Sequence, residues 1–216
     1  MFTVERLQVT IKGFVILRGV SLEIPPGGLV GLVGRNGAGK TTTLKGIMGL
    51  TSVTGGTITL DGADLVQVPG HKRAQLGIGY MPEDRRLIGA LTVEDNILMP
   101  AWVTGRTDDR KRLDYIYEIM PEVPPLARRR ASTLSGGQQK MAALARAVMT
   151  GTKLLLLDEC FEGLSPASGE KFADTIQKLQ REGIAVLIAE SDSKRLAFVK
   201  RIYTIERGEI VQDSGA

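Results

Sequence analysis

An α/β fold with a mainly parallel sheet, an antiparallel layer near the N-terminus and an inserted helical subdomain is predicted by three stretches of the sequence. The first, Gly34-Arg35-Asn36-Gly37-Ala38-Gly39-Lys40-Thr41, fits GxxxxGK[ST] and lies between a short apolar run, Leu29 to Val33, and a helical continuation, Thr42 to Met48. The second, Lys153-Leu154-Leu155-Leu156-Leu157-Asp158-Glu159, runs four leucines into two carboxylates. That is the form of a fully buried parallel strand delivering acids at its C-terminal edge, where ligands sit in such sheets. The third is the change of texture in the middle of the chain, where Leu113, Ile116, Tyr117 and Met120 recur at helical spacing before Pro121 to Pro125 breaks the pattern.

The glycines of the first stretch let consecutive backbone N–H groups turn inward on a phosphate chain, with no Cβ in the way. Lys40 supplies a mobile positive charge, Thr41 a hydroxyl for Mg²⁺, and the helix opening near Gly39 points its positive dipole end at the anion. Gly34, Arg35, Asn36, Gly37, Ala38, Gly39, Lys40, Thr41 and Thr42 are therefore the candidate nucleotide-binding residues. Asp158 is a candidate to hold Mg²⁺ through water, and Glu159 to polarise the water that attacks the γ-phosphate. A phosphate loop and a carboxylate-tipped strand in one chain support each other.

With 216 residues, 43% of them hydrophobic, the chain is long enough to bury a full core as one domain with a subdomain. No run approaches the ~18 apolar residues of a membrane helix, and Met1 to Arg6 lacks the basic and apolar regions of a signal peptide. A cytoplasmic chain is expected, and the single cysteine, Cys160, excludes an internal disulfide. The net charge of +4 is spread over short groups such as Arg85-Arg86 and Arg128-Arg129-Arg130, which read as solvated surface with some groups facing an anionic membrane. No nucleic-acid partner is expected.

In chain order, Val4 to Val9 and Val20 to Ile24 alternate like half-buried strands, the second ending at the Pro25-Pro26-Gly27-Gly28 turn. Gly55 to Gly62 is another short strand, expected to pack with them in an antiparallel layer that could flank a nucleotide base. Ile78 to Pro82 reads as a buried strand ended by proline, and Thr92 to Met99 and Asp108 to Met120 as helices. Leu134-Ser135-Gly136-Gly137-Gln138-Gln139 precedes an apolar helix, Met141 to Met149, so Ser135, Gly136 and Gly137 present donors at a helix N-terminus, as a second anion site or as a plain serine N-cap. Gly183 to Glu190 is a buried strand, Asp192 to Val199 a helix, and Arg201 to Glu206 and Glu209 to Val211 strands that complete the sheet.

LSGGQQ, with the phosphate loop upstream and LLLLDE downstream, resembles the ATP-binding-cassette ATPases over nearly the whole chain. Val93-Glu94-Asp95-Asn96-Ile97, Tyr80-Met81-Pro82-Glu83 with Arg85-Arg86, and Glu162-Gly163-Leu164-Ser165-Pro166 look like the ATP-binding subunits of branched-chain amino acid importers and related urea or amide importers. The resemblance implies a P-loop NTPase core over residues 1–82 and 151–216, with 83–150 as the helical subdomain that carries the LSGGQ signature. It implies ATP and Mg²⁺ as cofactors, and a head-to-tail dimer with a second cassette subunit, identical or different. Each ATP would lie between one subunit's phosphate loop and the other's Ser135, Gly136 and Gly137. It further implies transmembrane permease subunits as partners, a possible solute-binding protein, and a place on the inner face of the cell membrane.

The chain departs from the family pattern at several points. Glu83 stands where the family usually has a glutamine, and as a carboxylate it is a candidate for Mg²⁺. Ser165 replaces the aspartate usual in the dimer-facing loop. Cys160 follows the catalytic glutamate and reads as a small buried side chain. The base-stacking aromatic falls on Ile11 in the ungapped match, with Phe14 the nearest aromatic; neither is assigned, and Phe14 also reads as core. The switch histidine is replaced by Ser191, and His71, the only histidine, reads as a surface residue. A serine hydroxyl reaches less far than an imidazole and carries no charge, so Ser191 is a weaker catalytic partner and hydrolysis at this chain's own loop is expected to be weak. Two rival readings follow: a nucleotide-binding regulatory subunit with little hydrolysis, and a soluble cassette protein acting on ribosomes or DNA.

Overall fold

The structure, a computed structural model, describes residues 1–215. Strands β1 (Phe2–Ile11), β2 (Phe14–Ile24), β4 (Gly55–Leu60) and β5 (Ala63–Asp64) form an antiparallel sheet in the order β2-β1-β4-β5. Phe2 and Val4 face inward, and so do Leu7 and Val9, which is out of phase with a period of two. A register shift between Val4 and Leu7, with Arg6 at φ 48, restores the inward phase.

The second sheet holds β3 (Leu29–Val33), β6 (Ile78–Met81), β7 (Leu154–Asp158), β8 (Ala185–Glu190), β9 (Arg201–Glu206) and β10 (Glu209–Asp213). Its order is β10-β9-β3-β8-β7-β6, parallel throughout except for the β9–β10 hairpin. The four leucines of β7 divide between two cores, because successive side chains leave opposite faces of a strand. Leu154 and Leu156 pack with the antiparallel sheet and with α1 (Lys40–Ile47). Under α1, Arg73 of the short α2 (Gly70–Arg73) donates to the carbonyls of Gly46 and Ile47 at 2.9 and 2.6 Å, satisfying orphan acceptors of the helix end. Leu155 and Leu157 pack against α3 (Val93–Thr104), α4 (Asp109–Ile119), α5 (Gly136–Thr150) and α6 (Pro166–Arg181). All four leucines are fully buried, each contributing ~1.5–3 kcal/mol. A strand covered on both faces cannot slip, so Asp158 and Glu159 are fixed at its end.

Two expectations change. The segment 192–199 is a single 3₁₀ turn, Ser193–Leu196, rather than a helix: the Asp192 side chain accepts from Lys194 N–H, and the chain must re-enter the sheet at Arg201. Phe14 is no core residue; it is 74% exposed, paired with Ile11 beside the tight β1–β2 turn. His71 is at the surface and Cys160 is fully buried.

Candidate functional site

The site forms where β3, β7 and β8 all end on the same edge of the parallel sheet. The phosphate loop leaves β3 at Gly34, where a Cβ would sit 2.3 Å from the carbonyl oxygen of Ile205, so only glycine lets the loop lie this close to β9. Gly39, at φ 116, turns the loop into α1. Lys40, 5% exposed, folds back over the loop and donates to the carbonyls of Gly34 (2.7 Å) and Arg35 (3.3 Å) and to Ser191 Oγ (3.0 Å). Its Nζ also lies 3.1 Å from Glu159 Oε1.

Glu159 follows β7 in the left-handed region at φ 46, which for a non-glycine residue is held by its surroundings. Burial alone would raise its carboxyl. The hydroxyl of Ser191 donates to it, and with the other hydrogen bonds and the Lys40 ammonium holds it below the usual range, in the ionised form a base needs. Ser191 Oγ also lies 2.9 Å from Asn36 Oδ1, and Ser191 N–H donates to Glu159 Oε2 at 3.3 Å.

Asp158, 1% exposed, accepts from Thr41 Oγ1 at 3.1 Å and from the Tyr80 hydroxyl at 3.3 Å. Burial pushes its carboxyl up to about 6, against the lowering effect of the Thr41 bond and with help from nearby Glu83. Gly37, Gly39, Lys40, Thr41, Thr42, Glu83, Glu159 and Ser191 line one cavity of about 580 Å³, together with Ile16, Asn36, Glu162, Asp192 and Arg195. Thr41, Asp158 and Glu83 supply hard oxygen donors. This set suits Mg²⁺, which takes one or two protein oxygens and keeps the rest of its shell for phosphate and water.

Ser135, Gly136 and Gly137 stand apart from this cavity. Ser135 and Gln138 form a reciprocal cap at the start of α5, with Gln138 N–H donating to Ser135 Oγ at 3.4 Å and Ser135 N–H to Gln138 Oε1 at 3.1 Å. The serine is thus an N-cap, and the N–H groups of Gly136 and Gly137 remain in the first turn, open to an anion. Ile11 and Phe14 do not line the cavity, whereas Ile16 does. The sequence reading missed Ile16, whose place in the β2 alternation marks it only as half-buried. It also left Tyr80 without a role, although a hydroxyl one strand away from an acid-tipped strand is a natural donor.

The elevated Asp158 carboxyl makes stability depend on pH. A folded-state pKa raised from 3.8 to about 6 means that the contribution is complete below the unfolded value and is lost as pH rises through about 6. Two units correspond to roughly 3 kcal/mol. In nucleotide-free protein with a chelator, urea unfolding should show this decline between about pH 4 and 6, continued toward 7 by Glu190, whose carboxyl burial pushes up to about 7, and Asp158→Asn should make the profile shallower between about pH 4 and 6; parallel profiles for the two proteins would refute the assignment.

The family model for ABC transporters matches residues 17–162. The branched-chain amino acid transport ATP-binding protein BraG of Pseudomonas aeruginosa is 38% identical, over all of this chain and 94% of its own length. The lipopolysaccharide export ATP-binding protein LptB of Escherichia coli K12 is 34% identical over 97% of this chain and 88% of its own. A cassette dimer solved in a post-hydrolysis state with ADP and Pi superposes with a TM-score of 0.88 at 26% identity, covering 99% of this chain and 97% of that one. The chain belongs to the ABC transporter family and is an ATP-binding ATPase of that family.

Proposed function

We propose that this chain is the ATP-hydrolysing subunit of an importer for amino acids or related small solutes, working on the cytoplasmic face of the membrane with separate permease subunits. The observation that carries the enzymatic part is the convergence of Lys40, Glu159 and Ser191 beside the Thr41–Asp158 pair at one sheet edge. Identity to the branched-chain amino acid protein over the whole chain supports the importer reading, while similar identity to an export protein leaves the solute to the permease. No described helix is long and apolar enough to cross a membrane.

In this reading the loop N–H groups and Lys40 hold the β- and γ-phosphates, and Thr41 and Glu83, with Asp158 behind Thr41, would hold Mg²⁺, which would neutralise phosphate charge. Glu159 accepts a proton from the attacking water. Lys40 now neutralises Glu159, so an incoming triphosphate takes the ammonium and leaves the carboxylate free for water. Ser135, Gly136 and Gly137 serve the ATP of a second cassette, identical or different, which is why they lie away from the chain's own cavity.

The test is solute uptake in cells carrying the chain with its permease partners: Glu159→Gln should assemble with them yet stop uptake of the branched-chain class. Uptake that continues, or a tagged chain that recovers no integral membrane protein, would contradict the proposal.

Ser191 favours a second feature of the same reading. It holds Glu159 against Lys40 but has no ring long enough to reach a γ-phosphate, so the isolated chain should hydrolyse ATP slowly. Replacing it should restore a donor at the strand end where Asp158 and Glu159 already stand. Steady-state assays should show Ser191→His faster than wild type by about 10-fold, one added transition-state hydrogen bond being ~1.4 kcal/mol; brisk wild-type activity with no gain in the variant would count against this role.

A further inference from the structure

Two buried charges near the site have no part in the mechanism above. Glu190, fully buried at the end of β8, accepts from the Phe161 N–H at 2.8 Å and lies 3.3 Å from Arg195 Nη1. Lys140, 6% exposed on α5, donates to the carbonyl oxygen of Glu159 at 2.8 Å. Both bonds go to the main chain of one three-residue turn, Glu159-Cys160-Phe161. The Glu159 N–H is bound in turn to the Ala189 carbonyl at 2.9 Å, and the Phe161 ring packs edge-on against Phe172 and Phe198, with centroids 5.4 and 5.8 Å away.

Burying an ionisable side chain is costly, and here two of them each spend a hydrogen bond on the main chain of one turn, Glu190 with Arg195 as its ionic partner and Lys140 with none among the described residues. What needs holding is the left-handed Glu159, whose conformation is unfavourable for a residue with a side chain. We propose that Lys140 and Glu190 are positioning residues that clamp the Glu159 turn from opposite sides. The inference rests on the reading of Glu159 as general base.

The clamp also joins two parts of the molecule. Lys140 lies four residues, about one helical turn, after Gly136 on the same helix, so a pull on the first turn of α5 by a partner's nucleotide reaches the carbonyl of this chain's base through a single side chain. Glu190, the last residue of β8, anchors the other side of the turn to the strand that Ser191 directly follows.

The experiment measures the single-turnover rate at saturating ATP, per nucleotide-binding site counted by titration, together with ATP affinity. Lys140→Met and Glu190→Leu should each lose about 10- to 100-fold in rate per site, with affinity changed by less than about 3-fold, as for a misplaced base in a site that still binds. Glu190→Gln keeps an acceptor for the Phe161 N–H and should recover most of the rate. In the double variant Lys140→Met/Glu190→Leu the loss should be close to that of one single variant because both act on one turn. Unchanged rates per site, losses that multiply, or rate and affinity falling together would overturn the clamp. Glu159→Gln separates the two readings: a full rate in that variant overturns the base assignment itself, whereas a dead Glu159→Gln beside fully active clamp variants overturns the clamp alone.

Discussion

The Lys40–Glu159 contact governs the rest of the site. Two ionised groups, both nearly excluded from solvent, lie 3.1 Å apart at the end of the phosphate loop. Neither could remain charged there alone, because burying an unpaired ion costs several kcal/mol. Each is the other's counter-ion, supplemented by two loop carbonyls on the lysine and by Ser191 on the glutamate. An anion entering the loop does not meet an idle positive charge. In the proposed mechanism it replaces a carboxylate, and in doing so frees that carboxylate for chemistry, so that binding and activation would be one exchange.

The two-core architecture keeps this exchange local. The parallel sheet is covered on one face by the antiparallel sheet and α1, on the other by the helices from α3 to α6, so the ends of β3, β7 and β8 cannot shift relative to one another without opening both cores. The N-terminal turn of α5 lies outside this arrangement and carries exposed Ser135 and Gly136. The rigid edge holds the chain's own phosphate site, and the accessible helix start is free to meet another molecule.

Much of this was legible in the sequence, and the reasons are specific. A run of four leucines before two acids admits few placements other than a strand buried on both faces, and GxxxxGK[ST] after an apolar run fixes where the loop begins. That Ser191 stands where the family usually has a switch histidine was implied by the resemblance, not by any pattern of the residues themselves. What it touches was not: bonds to Glu159, Lys40 and Asn36 join residues more than 30 and more than 150 positions apart. The hold of Lys140 and Glu190 on the Glu159 turn was invisible for a related reason, since the groups they bond there are backbone, which carries no residue identity. Phe14 misled because an aromatic in a strand pattern suggests core, whereas the β1–β2 turn places it in solvent. The stretch 192–199 misled because its composition permits a helix, and only the sheet's geometry shortens it to one turn.

The exchange at Lys40 is the claim on which the others depend, and nucleotide affinity of Lys40→Ala measures it most directly. The substitution removes the ammonium that folds over the loop and leaves Glu159 as a buried carboxylate without its counter-ion, facing the incoming phosphates. Titration of the purified variant with ATP and Mg²⁺ should therefore show a loss of at least about 100-fold, which is ~2.7 kcal/mol. Affinity equal to that of the wild type would mean that the phosphates do not take over the lysine, and would contradict the account.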